Sequence, residues 1–238
     1  VEPNESPIFG KSEAERKAIA RQELEAKGQK ITPLVIKNWI AKQERQLEVA
    51  SNVEELRALR CDVEVYRCDT GNQEDLVGTA ESIKTRFGKV NLLIHGAGLE
   101  ESKYLADKDL QAFQRVFEPK ANAALTLFFG LKPERMVTMG SVAGRFGNAG
   151  QVDYAAANEL MAALSRRSGR GILNVNWTAW NDVGMATRGS IQQVLESSGV
   201  DLLPADLGAS IGALLAGSDI TGDVVVAGVL GQFSGAEV

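Results

Sequence analysis

The chain has 238 residues, 44% of them hydrophobic, a formal charge of -5 at pH 7 and a pI near 5.2. That supports one sizeable core with an appendage, and the acidic balance excludes nucleic acid or an anionic membrane as the main partner, because both need clustered positive charge. No run approaches the roughly twenty apolar residues of a membrane helix, and the acidic start Val1-Glu-Pro-Asn-Glu5 is unlike a signal peptide, so a cytoplasmic location is expected.

Asp, Glu, Lys and Arg are dense up to Arg60 and thin out beyond it. The change divides the chain into a charged helical lead segment, 1–60, and a core, 61–238. In the lead segment, Lys11 to Lys27 reads as a helix ended by Gly28, and Thr32-Pro33 offers an N-cap with proline at the first helical position. A second helix is expected from Pro33 to about Ala50, with Leu34, Val35, Trp39, Ile40 and Leu47 on one buried stripe. Asn52 is then placed to cap a short helix through Leu59.

Beyond Arg60 the pattern becomes strand and helix in alternation. Asp62 to Cys68 alternates like a strand, which would point Cys61 and Cys68 to opposite faces and keep them from pairing; reduced thiols fit a cytoplasmic protein. Gln73 to Phe87 reads as a helix, Val90 to His95 as an apolar strand, and Asp107 to Phe129 as a long helical region. Strands at Arg135 to Met139, Ile172 to Trp177 and Val224 to Gly228 alternate with helices at Tyr154 to Arg166 and Pro204 to Ala216. Such alternation predicts an α/β, Rossmann-like doubly wound parallel sheet, in which ligands collect at the carboxyl ends of strands.

The chemistry is concentrated in Ser141-Val-Ala-Gly-Arg-Phe-Gly-Asn-Ala-Gly-Gln-Val-Asp-Tyr154-Ala-Ala-Ala-Asn158. A serine at a strand end and a tyrosine opening an Ala-rich helix can bring a hydroxyl and a phenol to one point, where they polarise and protonate a carbonyl oxygen. The Gly96-Ala97-Gly98 turn after the strand to His95 admits either a tight turn or the close approach of a flat ligand. Asp69-Thr70 admits either a helix N-cap or a carboxylate that accepts from an adenine amino group. His95 is the only histidine; it reads as a packed or cofactor-side residue, and with so few Cys and His no metal cluster is expected.

These motifs, with Val116-Phe-Glu-Pro-Lys120, Asn176-Trp-Thr-Ala-Trp180 and Gly184-Met185, resemble the short-chain dehydrogenase/reductase superfamily. More narrowly, they are similar to the ketoreductase domains of polyketide synthases and polyunsaturated fatty acid synthases. Ordinary members of the superfamily place a lysine four residues after the tyrosine, where it lowers the phenol pKa from about 10. Here Asn158 stands in that place, and the resemblance assigns the lysine's part to Lys120. It implies reduction of a β-ketoacyl thioester on the phosphopantetheine of an acyl carrier protein, with NADPH as cofactor and neighbouring synthase domains as partners. Ser141 would hydrogen-bond the ketone oxygen, Tyr154 would protonate it, Lys120 would hold the phenol pKa down, and Asn158 would anchor a water or Lys120. It also implies a cofactor site at Asp69, Thr70, Gly96, Ala97, Gly98, Thr178, Gly184 and Met185, with Phe146 and Gln151 beside the substrate and a lid over Val183 to Leu203.

Two departures qualify the resemblance. The strand, glycine loop and helix that hold a dinucleotide's pyrophosphate are missing before residue 61, so the chain is expected to start about two strands late, with an insertion-like helical segment first. Neither stereochemical marker of polyketide ketoreductases is present: Leu99-Glu100-Glu101-Ser102 replaces the aspartate motif, and Phe146 replaces the tryptophan. A non-catalytic structural or docking domain with the same fold is the rival reading; a free-standing reductase of small ketones is disfavoured by Asn158.

Overall fold

The computed structural model describes residues 6–168, 171–181, 183–185 and 191–231. The chain forms two compact units, Val1–Tyr66 and Arg67–Val238.

The first unit is helical. Helix α1 (Glu13–Ala26) opens on a capping box in which the Ser12 backbone N–H donates to Glu15 Oε2 at 2.8 Å, satisfying an end that would otherwise be unpaired. Helix α2 (Pro33–Ala58) starts as expected, with Thr32 Oγ1 accepting from the Val35 N–H at 3.2 Å. It does not stop at Ala50. No glycine or proline interrupts it after Pro33, so Asn52, expected to cap a separate short helix, is an ordinary position within a continuous one. Its buried residue near the start is Ile36, clustered with Ala20 and Leu24 and flanked by Val35, Trp39 and Ile40; Leu34, expected on the stripe, is exposed.

The strand expected at residues 62–68 does not form. Alternation supplies the pleat, but a strand also needs a ladder, and among the described residues no ladder includes this segment. The argument that a shared strand separates Cys61 from Cys68 therefore lapses; both are free thiols.

Among the described residues the second unit is built on a parallel sheet of four strands in the order β1-β2-β3-β4: β1 (Leu92–His95), β2 (Arg135–Ser141), β3 (Ile172–Trp177) and β4 (Gly222–Val226). Parallel neighbours require crossovers, and these carry α4 (Leu110–Phe117), α5 (Ala123–Leu131), α6 (Val142–Phe146), α7 (Val152–Arg167), α8 (Ile191–Ser197) and α9 (Ala205–Ala216). Helix α3 (Gln73–Phe87) precedes β1, its first turn capped by Asn72 Oδ1.

Side chains alternate across the sheet and both faces are covered, which makes it doubly wound. On one face Met136 and Ile172 pack against Ala124 and Phe128 of α5 and Met161 of α7. On the other, Val137, Leu173, Val175 and Trp177 meet Ile211 and Leu215 of α9. The first face turns polar beneath α7, where Thr138, Asn174, Asn176 and Asp223 hydrogen-bond in a chain that ends on Arg166.

Candidate active site

A cavity of about 400 Å³ opens at the carboxyl ends of β1, β2 and β3, where a doubly wound sheet presents its loops. Lys120, Ser141 and Tyr154 all line it. They arrive from three different elements, and each has a local reason for its place.

Lys120 sits in a π-helical turn, Glu118–Asn122, between α4 and α5. Pro119 accounts for that turn, since it has no N–H to continue the ladder and its ring crowds the carbonyl of the preceding turn. The turn is held by His95, whose Nε2–H donates to the Lys120 carbonyl at 2.8 Å. The Lys120 side chain is buried, and its Nζ donates to the Met139 carbonyl at 2.8 Å. Burial lowers its pKa from 10.5 to about 8, so it still carries its proton at neutral pH. Burial likewise drives His95 down to about 4, with the hydrogen bond to Lys120 opposing the shift and the Lys120 charge adding to it. His95 is therefore a neutral donor that shapes the site rather than a base.

Ser141 ends β2 and caps α6, its Oγ accepting from the Ala143 N–H at 3.2 Å; its own proton is left to donate elsewhere. Tyr154 lies in the first turn of α7. Burial raises its phenol above the ordinary value near 10, hydrogen bonding to Ser141 and Asn158 pulls it down, and the charge of Glu100 pushes it up. The lowered phenol that the resemblance implies is thus not the state seen here. The Lys120 ammonium is 5.5 Å from the centre of the Tyr154 ring and gives a hydrogen bond to Met139.

Asn158 does not line the cavity. Fully buried one turn behind the tyrosine, it donates from Nδ2 to the Tyr154 carbonyl at 2.7 Å. Its Oδ1 is buried without a partner among the described residues, an orphan acceptor suited to an ammonium or a water.

Of the expected cofactor residues, Gly96, Thr178, Gly184 and Met185 line the cavity. Gly98 packs on the Lys120 stem, where a Cβ would stand 3.4 Å from Nζ, and Ala97 lies between these two glycines. Asp69 and Thr70 are elsewhere: the Asp69 carboxylate closes a turn by accepting from the Gly71 N–H at 3.0 Å. Gln151 lines the cavity, but Phe146 is 44% exposed at the end of α6 and does not. In the segment expected as a lid, residues 186–190 lie outside the described residues; Val183 joins the cavity wall, and Leu203 exchanges backbone hydrogen bonds with Ala179 and Asn181.

Sequence reasoning missed Glu100, which lines the cavity and accepts from Gln151 Nε2 at 2.9 Å. It also missed a buried ion pair between Lys108 and Asp153 next to the tyrosine. The position of Asp153, immediately before Tyr154 in the first turn of a helix, was the available signal.

Gly96, Thr178, Gly184 and Met185 of the cavity wall are the residues that could border the nicotinamide end of a dinucleotide. A Cβ added at Gly96 would stand in ordinary contact with Met139 Cγ, at 3.5 Å. Thr178 is fixed by hydrogen bonds from its N–H to the Val226 carbonyl and from Oγ1 to the Asp201 carbonyl, at 3.0 and 3.3 Å. No glycine-rich strand–turn–helix precedes β1 among the described residues, so the groups that would hold the phosphates are not among them. Nor do these residues contain a cluster of His, Cys, Asp and Glu able to hold a metal ion, or a helix long and apolar enough to cross a membrane.

Comparison with known proteins identifies the family and the fold. The KR domain family matches residues 20–182. Polyketide synthase PksN of Bacillus subtilis (strain 168) is 30% identical over 149 residues, a match that covers 57% of this chain and 3% of that protein. Among solved structures, a ketoreductase domain from the bacillaene assembly line superposes with a TM-score of 0.65 at 30% identity, covering 76% of this chain and 46% of its own. A short chain dehydrogenase from Burkholderia cenocepacia J2315, solved in complex with NADP, shares the fold at 18% identity with a TM-score of 0.65, covering 79% of this chain and 82% of its own. The chain thus spans only a small part of the synthase it matches and under half of the bacillaene domain. From the match over residues 20–182 and the shared α/β architecture, the chain belongs to the KR domain family, the ketoreductases of polyketide synthases within the short-chain dehydrogenase/reductase superfamily.

Proposed function

We propose that this chain carries the catalytic groups of an NADPH-dependent β-ketoacyl reductase that acts on a thioester held by an acyl carrier protein inside a multidomain synthase. The observation that carries the reading is the convergence of Lys120, Ser141 and Tyr154 on one cavity, with Asn158 buried behind the tyrosine. A cluster of this kind costs stability and is kept where it does chemistry.

When bound, NADPH supplies the hydride that reaches the β-carbon. As the carbonyl π bond gives way, negative charge gathers on the ketone oxygen, and the Ser141 hydroxyl stabilises it by donating a hydrogen bond. Tyr154 transfers its phenol proton to that oxygen and completes the alcohol. Its raised pKa keeps the phenol protonated at neutral pH, the form an acid requires. Lys120, charged at neutral pH, steadies the phenolate left behind, and Asn158 Oδ1 offers the acceptor that would hold its ammonium or a water. Trp177 and Trp180 supply an apolar wall beside the acyl chain.

The test is NADPH oxidation by the full-length protein with a β-ketoacyl N-acetylcysteamine thioester. Tyr154→Phe should lower turnover by about a hundredfold to ten-thousandfold with an unchanged melting temperature. Failure of the wild-type protein to oxidise NADPH would favour the rival reading, a structural or docking domain that keeps the fold without the chemistry.

A further inference from the structure

Two segments that wall the cavity, the loop after β1 and the start of α7, are tied together around one buried ion pair. Lys108 Nζ lies 2.5 Å from Asp153 Oδ2, and both side chains are 1% exposed. The same ammonium donates to the Glu101 carbonyl at 3.0 Å. The other carboxylate oxygen, Asp153 Oδ1, accepts from the Tyr154 backbone N–H at 2.9 Å. Nearby, the Lys103 N–H donates to the Gly150 carbonyl at 2.9 Å, and Gln151 reaches Glu100.

A buried ion pair is a poor stabiliser, because desolvation offsets most of the attraction, so its position calls for another explanation. Helix α7 has no side-chain N-cap: Gln151 stands at that place and makes no capping bond. Asp153 satisfies a first-turn N–H instead, where a negative charge also suits the helix dipole. That N–H belongs to Tyr154. Lys108 then joins this carboxylate to the backbone of Glu101, whose chain neighbour Glu100 forms part of the cavity wall. Neither Lys108 nor Asp153 lines the cavity, so any effect on chemistry passes through the residues they hold.

We propose that the Lys108–Asp153 pair is the positioning device of the Tyr154 acid, fixing the phenol against the Glu100 wall. The assignment rests on the ketone-reduction reading above. A group that presets the geometry of an acid acts on the rate of the chemical step more than on ground-state binding.

The test uses the full-length protein and the double variant Lys108→Met/Asp153→Asn, which removes both charges together and keeps an oxygen for the Tyr154 N–H. Met161→Ala, a cavity in the core under α7, serves as a control for general loosening. Steady-state kinetics with the thioester mimic should show kcat reduced by about tenfold to a hundredfold, with KM within about threefold of wild type. Independently of activity, NMR titration of 13C-tyrosine-labelled protein should show the Tyr154 phenol moving down toward its ordinary value as its burial loosens. Tyr154→Phe assigns the resonance. Wild-type kcat and an unmoved phenol in the double variant would overturn the proposal, as would an equal loss of kcat in Met161→Ala. A double variant that does not fold would assign the pair to stability and overturn it as well. If the wild-type protein reduces no ketone, the function reading fails, and the phenol titration still decides whether the pair sets Tyr154.

Discussion

Asn158 donates its side-chain amide to the carbonyl of Tyr154 at 2.7 Å, while its other polar atom, Oδ1, is buried with nothing among the described residues to accept from. Half of this side chain is satisfied and half is held in reserve. Replacing it with alanine removes one hydrogen bond but also one uncompensated polar atom, so the net stability change should stay within about 1 kcal/mol. Reduction should fall much further, by about tenfold to a hundredfold if the phenol or Lys120 loses its alignment. Denaturant unfolding compared with turnover of Asn158→Ala checks the disproportion.

Lys120 should act against stability. In the folded chain it loses its proton near pH 8, whereas its ordinary value is 10.5. Between those values the unfolded chain binds the extra proton, so wild-type stability rises as pH increases from about 8 to 10.5 and is lowest below 8. The shift corresponds to roughly 3 kcal/mol, part of which the hydrogen bond to Met139 already offsets. Lys120→Met should therefore be more stable than wild type at pH 7, lose that advantage by pH 10, and reduce no ketone. Urea titrations at the two pH values check the sign.

Gly208 on α9 faces Trp180 so closely that an added Cβ would lie 2.6 Å from the indole ring. Trp180 in turn packs edge-on against Trp177, with ring centres 5.1 Å apart. Gly208→Ala should push Trp180 from its place in the cavity wall, cost about 1–3 kcal/mol through overpacking, and raise KM for the thioester. Two of the three tryptophans lie in this pair, so intrinsic fluorescence reports the displacement directly.

Asp223 collects three donors: Asn174 and Asn176 reach one oxygen at 2.8 and 2.7 Å, and Arg166 reaches the other at 2.9 Å. Asp223→Ala leaves the buried Asn176 amide without an acceptor and should cost about 1–3 kcal/mol. Arg166→Ala removes a side chain that is 37% exposed and should cost less, about 0–1 kcal/mol for each of its two lost ion pairs, with Asp223 and Glu159. Thermal or denaturant unfolding of both variants tests the ranking.

Much of the fold is written in local patterns. Gln73 to Phe87 reads as a helix and is α3, and Ile172 to Trp177 reads as a strand and is β3, buried along its whole length. Residues 62–68 show the limit: alternation describes one segment, but a strand is a property of two. At the site, Lys120 is legible through its company, Asn158 and Ser141, although a helical lysine taken alone looks solvated. The π turn that directs it inward was foreshadowed by Pro119, yet its effect depends on the His95 contact from another element. The resemblance placed Phe146 beside the substrate, and α6 is a short turn that leaves it half exposed. Lys108 and Asp153 belong to residue types that usually face water; the meeting of two distant loops is what buries them.

The π turn also bears on how the site comes into being. Lys120 belongs to the crossover between β1 and β2, and Tyr154 to the crossover between β2 and β3, with Met139 of the shared middle strand accepting the lysine's hydrogen bond. Neither crossover alone holds both the ammonium and the phenol. A chain in which one of them has frayed no longer assembles the proposed site, so the proposed reaction would serve as a coincidence signal for the two crossovers having docked.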